Sequence, residues 1–185
     1  MAEIRAGMLL LASPELVDPN FVDAVVLLLD TDENGAMGVV INRPSPVPVV
    51  SVLADWGEIV AEPEVLFRGG PVSPEGALAV ALLRDQGAVG PGLRPVTERL
   101  AIVDLEGTAD DIDPAVDGVR IFAGYAGWGA GQLEGEIEGG DWYVLPSLPP
   151  DAFQADPSDL WREVMRRQPG ELAWHVNRPA DPELN

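Results

Sequence analysis

The chain has no cysteine, no lysine and a single histidine, His175, among its 185 residues. Without cysteine there is no disulfide, thiolate nucleophile, zinc knuckle or cysteine-ligated cluster. Without lysine there is no Schiff base, Walker-type phosphate lysine or kinase-type lysine. One histidine excludes His-rich metal sites and leaves serine–histidine catalysis a single base. Ser13, Ser51 and Ser73 are its candidate partners, but no Gly-x-Ser-x-Gly elbow is present. Long apolar runs are missing too. Residues 24–29 and 77–83 fall far short of a membrane span, and the run at 8–12 is cut by Ser13-Pro14-Glu15, too short for a signal peptide. The expectation is a soluble, cytoplasmic protein with no membrane partner and no cofactor.

Positive charge is scarce. Eleven bases, all arginine, stand against 31 acids, for a net charge of −20. A field of that sign repels nucleic acid and anionic lipid. Direct DNA contact would need a local arginine patch, for which Arg162, Arg166 and Arg167 are the candidates; Arg162 and Arg166 lie four apart, on one helical face, with Glu163 beside them.

What is present is an ordinary globular ratio of apolar residues, 46%, broken by 20 glycines and 18 prolines, a composition of many turns and short elements. Apolar runs at residues 8–12, 24–30, 36–42, 65–67, 78–83, 100–104, 119–123 and 141–145 predict strands, with Asn34-Gly35 marking a hairpin between the second and third. Short helices are expected at residues 49–56, 132–138 and 158–168, with a last turn at 171–176. Pro44, Pro46 and Pro48 predict a break after the hairpin. Residues 87–95 read as loop, and the acidic stretch 106–117 as a mobile surface loop. Trp161 and Trp174 are expected to pack the C-terminal helices onto the sheet. Together these elements predict one α+β domain over residues 1–185, a mixed sheet with short helices against it.

Three segments concentrate residues with chemistry. Arg68-Gly69-Gly70-Pro71 places a cation beside two residues free to adopt positive φ, either an anion-binding nest or a tight strand-exit turn. Asn42-Arg43-Pro44 ends a strand; its side chains either project into a cleft shared with Arg68 or satisfy local backbone and a local acid. Residues 124–131, Gly-Tyr-Ala-Gly-Trp-Gly-Ala-Gly, carry no dinucleotide or P-loop pattern. They read either as a ligand-approach loop walled by Tyr125 and Trp128 or as a bend where a sheet splits. Glu134, Glu136 and Glu138 form either an acid/base or hard-cation face, or a solvated one.

The order and wording of four segments, residues 7–21, 35–44, 68–72 and 124–142, resemble the YqgE/AlgH family of bacterial proteins. The match is most specific in Gly-Tyr-Ala-Gly-Trp-Gly-Ala-Gly-Gln-Leu-Glu followed by Asp141-Trp142, and the ending Asp181-Pro182-Glu183-Leu184-Asn185 is also similar. The resemblance implies an α+β fold whose bifurcated sheet curls into a pseudo-barrel. It implies no assigned reaction, and its name links it to transcriptional regulation of alginate production. The family pattern falls on Asn42, Arg43, Arg68, Gly69, Gly70, Tyr125, Trp128, Gln132, Glu134 and Trp142.

The reading that follows is a non-catalytic binding or regulatory protein. It takes a small anionic or aromatic ligand, or a protein partner, where the Arg68 turn meets the Tyr125/Trp128 loop. Two alternatives stand beside it. One is an enzyme in which Glu134 or Glu136 acts as base or metal ligand while Arg43 and Arg68 hold an anionic substrate. The other is a regulator that binds DNA directly.

Overall fold

Apolar runs bounded by Gly and Pro become strands of one curled, mainly antiparallel sheet in the computed structural model, which describes residues 3–86, 90–170 and 172–173. The fold is α+β: a half-barrel of strands with three short helices. β1 (Leu9–Ala12) and β2 (Val25–Asp32) are antiparallel neighbours, and the Asn34-Gly35 turn returns the chain as β3 (Gly35–Val40). β1 and most of β2 are buried on both faces, which explains their unbroken Leu and Val content.

Beyond β3 the three prolines do not break the chain. They form β4 (Pro44–Pro48), which pairs with β5 (Val65–Arg68). Pro44 and Pro48 sit opposite Phe67 and Val65, while Arg43 and Val49 make the cross-strand bonds to Arg68 and Glu64. The nitrogens of Pro44 and Pro48 therefore turn to the free edge, where a missing N–H costs nothing and discourages edge pairing. The helix expected over 49–56 is two 3₁₀ turns, Val49–Ser51 and Ala54–Trp56.

β6 (Val72–Leu83) is longer than its apolar core suggests. β7 (Leu93–Pro95) occupies part of the expected 87–95 loop and pairs with β8 (Leu100–Val103). The acidic 106–117 stretch is not a bare loop: it holds α1 (Ala109–Ile112) and a 3₁₀ turn, because Ala109 and Ile112 are buried among Val103, Val116 and Val119.

β9 (Val116–Gly129) is where the sheet divides. Along one edge it pairs with β6; along the other it pairs first with β5, in parallel at Phe122 and Ala123, and then with β3 from Ala126 to Gly129. α2 (Gln132–Glu138) and β10 (Trp142–Leu145) follow, and β10 closes onto β1. α3 (Leu160–Arg166) buries Leu160, Val164 and Met165 against Leu9, Leu27 and Phe122 on the concave side. Trp161 docks as expected, donating its indole N–H to the Ala12 carbonyl at 2.9 Å. The expected turn at 171–176, Trp174 and His175 lie outside the described residues. No helix among the described residues is long and apolar enough to cross a membrane.

Candidate functional site

Asn42 and Arg43 leave the end of β3 where β2 begins. The Asn42 side chain is used at both ends: its oxygen accepts from Val25 N at 3.0 Å and its nitrogen donates to Asp23 O at 2.9 Å. Arg43 donates to the carbonyls of Asn20 and Val22, the latter at 2.8 Å. These two residues thus grip the segment between β1 and β2. Burial lowers the Arg43 pKa most; the nearby charge of Arg68 lowers it further, while Asp23 and Asp18 raise it. The two guanidinium groups therefore share one neighbourhood.

Arg68 is brought there by pairing. Its N–H donates to the Arg43 carbonyl at 2.8 Å, at the end of the β4–β5 ladder. Its side chain is exposed and has no acid or hydrogen-bond partner among the described residues. Gly69 does not offer its amide to a ligand: it donates to Ala123 O at 2.9 Å, and its carbonyl accepts from Val40 N at 2.9 Å. Gly69 is the link that joins β3, β5 and β9 at the split. The backbones there are in close contact. A Cβ on Gly69 would sit 2.3 Å from Gly124 O, and one on Gly70 2.2 Å from Tyr125 C. The glycines are required by that approach, and they fix Arg68 beside Arg43.

The aromatic loop is instead the second half of β9, and strand parity separates its two rings. Tyr125 packs on the concave side with the Leu9 and Phe122 cluster; Trp128 lies on the opposite face with Leu10, Leu133 and Trp142. They do not wall one cleft. Trp128 is 6% exposed and belongs to an aromatic trio, stacked with Phe21 at 6.2 Å and edge-on to Trp142 at 5.9 Å. Gln132 accepts from Gly129 N at 3.0 Å, ahead of α2, and Glu134 is exposed. Gly129 pairs with Gly35, at the start of β3, whereas Arg43 follows its end. From Gly35 to Ile41 an extended chain covers about 20 Å. The candidate residues thus fall into two groups, with Asn42, Arg43, Arg68, Gly69 and Gly70 at one end and Trp128, Gln132 and Glu134 at the other.

A pocket of about 230 Å³ does open beside Trp128, lined by Asp30, Asp32, Asn34 and Met37. Its charged groups are acids, which disfavours an anion, and Asp30 is paired with Arg94 at 3.3 Å. Glu136 accepts weakly from the Trp142 indole at 3.4 Å. On α3, Arg166 and Arg162 both pair with Asp159, at 3.2 and 3.9 Å, and Arg167 forms a two-pronged pair with buried Asp151. That helix presents compensated charge and not a basic stripe.

Sequence reading missed three features. Asp18, Asn20 and Asp23 border the arginines, and Phe21 completes the aromatic trio. Neither carries a local motif; both depend on where the 14–23 segment folds back. It also missed Arg120, fully buried in β9.

A family model described as AlgH-like matches residues 9–173. A UPF0301 protein of Streptomyces coelicolor is 53% identical, covering 100% of this chain and 98% of its own length. One from Mycobacterium avium is 48% identical over 98% of this chain and 92% of itself. Among solved structures, a Corynebacterium diphtheriae protein superimposes with a TM-score of 0.88 at 36% identity, covering 96% of this chain and 94% of that one. The solution structure of the AlgH protein from Pseudomonas aeruginosa, also a UPF0301 protein, superimposes with a TM-score of 0.67 at 27% identity, covering 97% of this chain and 98% of that one.

Proposed function

The chain belongs to the AlgH-like family, and on that premise we propose that it works as a non-catalytic binding or regulatory protein of the cytoplasm. It recognises an anionic group, carboxylate or phosphate, at the ledge formed by Arg43 and Arg68. One observation carries this reading: Arg68 is an exposed guanidinium with no acid partner among the described residues, held beside a second arginine on a molecule of charge −20. Elsewhere on this surface Arg84, Arg94, Arg99 and Arg166 are paired with Asp, while Arg5 is exposed and, like Arg68, has no acid partner among the described residues; what sets Arg68 apart is the second arginine, Arg43, opposite it at the end of the β4–β5 ladder. A cation left unpaired in so acidic a chain attracts a small anion without attracting a long polyanion. Asn42, Gly69 and Gly70 position the two arginines; Trp128, Gln132 and Glu134 stand at the other end of β3 and take no part.

An enzyme built on Glu134 and the two arginines is disfavoured by that same separation. A link to transcription would run through a protein or small-ligand partner, since the α3 arginines are compensated by Asp159 and Asp151.

The test is a titration of ¹⁵N-labelled protein with inorganic phosphate, acetate and a set of phosphorylated and carboxylated metabolites. The amides of Arg68 and Gly70 should shift, and Arg68→Glu should abolish the response. A saturating ligand at 100 times its dissociation constant should also stabilise the fold by about 2.7 kcal/mol. Unmoved amides across the set, or a response unchanged in Arg68→Glu, would sink the reading.

A further inference from the structure

Residues 14–23, between β1 and β2, are exposed except for the half-buried Leu16 and Phe21. Most of their backbone bonds are local: Phe21 N and Val22 N both donate to Asp18 O. Longer-range attachments come from the other side of the sheet split. Arg43 holds the carbonyls of Asn20 and Val22, and Asn42 holds that of Asp23, whose φ of 58° is a left-handed conformation seldom adopted by a residue with a side chain. Phe21 reaches in the opposite direction, stacking on Trp128 and meeting Trp142 edge-on at 5.4 Å. The segment is thus a strap. One end is held by a guanidinium, and its single ring closes the aromatic trio.

The strap is also anionic where it meets that guanidinium. Asp18 and Asp23 both act on Arg43 in the sense opposite to Arg68. With its two carbonyls it occupies the contacts a phosphate or carboxylate would make.

We propose that residues 14–23 are an internal competitor for the arginine ledge: an anion bound between Arg68 and Arg43 takes Arg43 from Asn20 and Val22, frees the strap, and withdraws Phe21 from Trp128 and Trp142. This rests on the anion-binding reading above and adds its consequence, a signal carried from the ledge to an aromatic surface on the far part of β9. Because binding and opening share one free energy, whatever weakens the closed strap must strengthen anion binding.

The experiment uses the full chain labelled with 5-fluorotryptophan, its Trp128 and Trp142 resonances assigned by W128F and W142F, and inorganic phosphate as the probe at constant ionic strength. Phosphate should move both resonances toward solvent-exposed values with the same midpoint as the Arg68 amide. Arg43→Gln should show the exposed values without phosphate. Phe21→Ala, which touches neither arginine, should bind phosphate about five- to tenfold more tightly. If phosphate binds at Arg68 while the tryptophan resonances stay put, or if Phe21→Ala binds no more tightly, the strap is only structural and the inference falls while the anion site stands. If nothing binds in an Arg68-dependent way, the site and the switch fall together. The wild-type titration decides the matter even if Arg43→Gln does not fold.

Discussion

Arg120 is 1% exposed, and its hydrogen bonds end on backbone: the carbonyls of Ala152 and Gln154 at 3.0 Å, of Ala61 at 3.3 Å, and of Glu62. Its Cζ lies 4.2 Å from the Phe67 ring centroid. A buried charge satisfied by neutral dipoles ties three distant stretches together. Arg120→Met fills similar space but leaves those carbonyls without donors, so a loss of about 3–5 kcal/mol is expected in urea unfolding. Burial pushes this guanidinium down to about 10. The folded value is below the unfolded one, so the unfolded chain holds more protons only between the two, and stability attributable to Arg120 rises with pH only above about 10. Between about pH 6 and 9 the difference between wild type and Arg120→Met should be flat; a slope there would contradict the assignment. Two glycines give a second residue-scale comparison. Gly124 and Gly131 have φ of +77° and +74°, but an added Cβ meets Gly70 O at 2.4 Å in the first and open space in the second. Gly131→Ala carries the conformational penalty alone, about 1–2 kcal/mol. Gly124→Ala adds a backbone collision at the split and should cost several times as much. Equal thermal shifts for the two would refute the close-packed junction.

The elements differ in how far local pattern determines them. The β2–β3 hairpin is legible because its turn, its β-branched runs and its burial all point the same way. β4 is not, because prolines read as a break until an edge is available to hide their missing donors. α1 is not, because Ala109 and Ile112 look minor among acids until the neighbouring strands supply a surface to bury them. The same limit applies to the site. The proximity of Arg43 and Arg68 follows from the β4–β5 ladder, and both stand out in the sequence; the opposite facing of Tyr125 and Trp128 follows from their odd spacing only past Gly124, whose φ of +77° breaks the alternation and leaves Phe122 and Tyr125 on one side. α3 shows how one pair can position an element. It is short, and behind it the Arg167 guanidinium meets both oxygens of Asp151, 2% exposed, at 2.8 and 2.9 Å, a contact that raises the Arg167 pKa. Arg167→Met leaves that carboxylate buried and unpaired and should cost about 3 kcal/mol. Asp151→Asn in the same chain removes the orphaned charge and keeps an acceptor for Leu148 N. The double variant should therefore be more stable than Arg167→Met alone. A double variant that is worse would mean that the helix is held by packing and not by this pair.

At the scale of the molecule the excess of 20 negative charges has no internal remedy, since the ion pairs consume arginines already outnumbered. Two effects of salt then oppose each other. Screening weakens pairs such as Arg84–Asp117, at 3.2 Å and half exposed, and it also weakens the mutual repulsion of the unpaired acids. An exposed pair contributes about 0–1 kcal/mol, whereas self-repulsion of a net charge this large acts on the whole compact state. Repulsion should prevail. The melting temperature is therefore expected to rise between about 10 and 300 mM sodium chloride, most steeply while the screening length shrinks from about 30 to below 10 Å, and to level off beyond it. At equal ionic strength sodium phosphate should stabilise more than sodium chloride, in part by general exclusion from the surface and in part by what it adds at Arg68; the divergence should shrink in Arg68→Glu to the first part alone. A melting temperature that falls with sodium chloride would show that the surface pairs outweigh the repulsion. It would also remove the premise that leaving Arg68 unpaired beside Arg43 has a cost on this surface that a bound anion relieves.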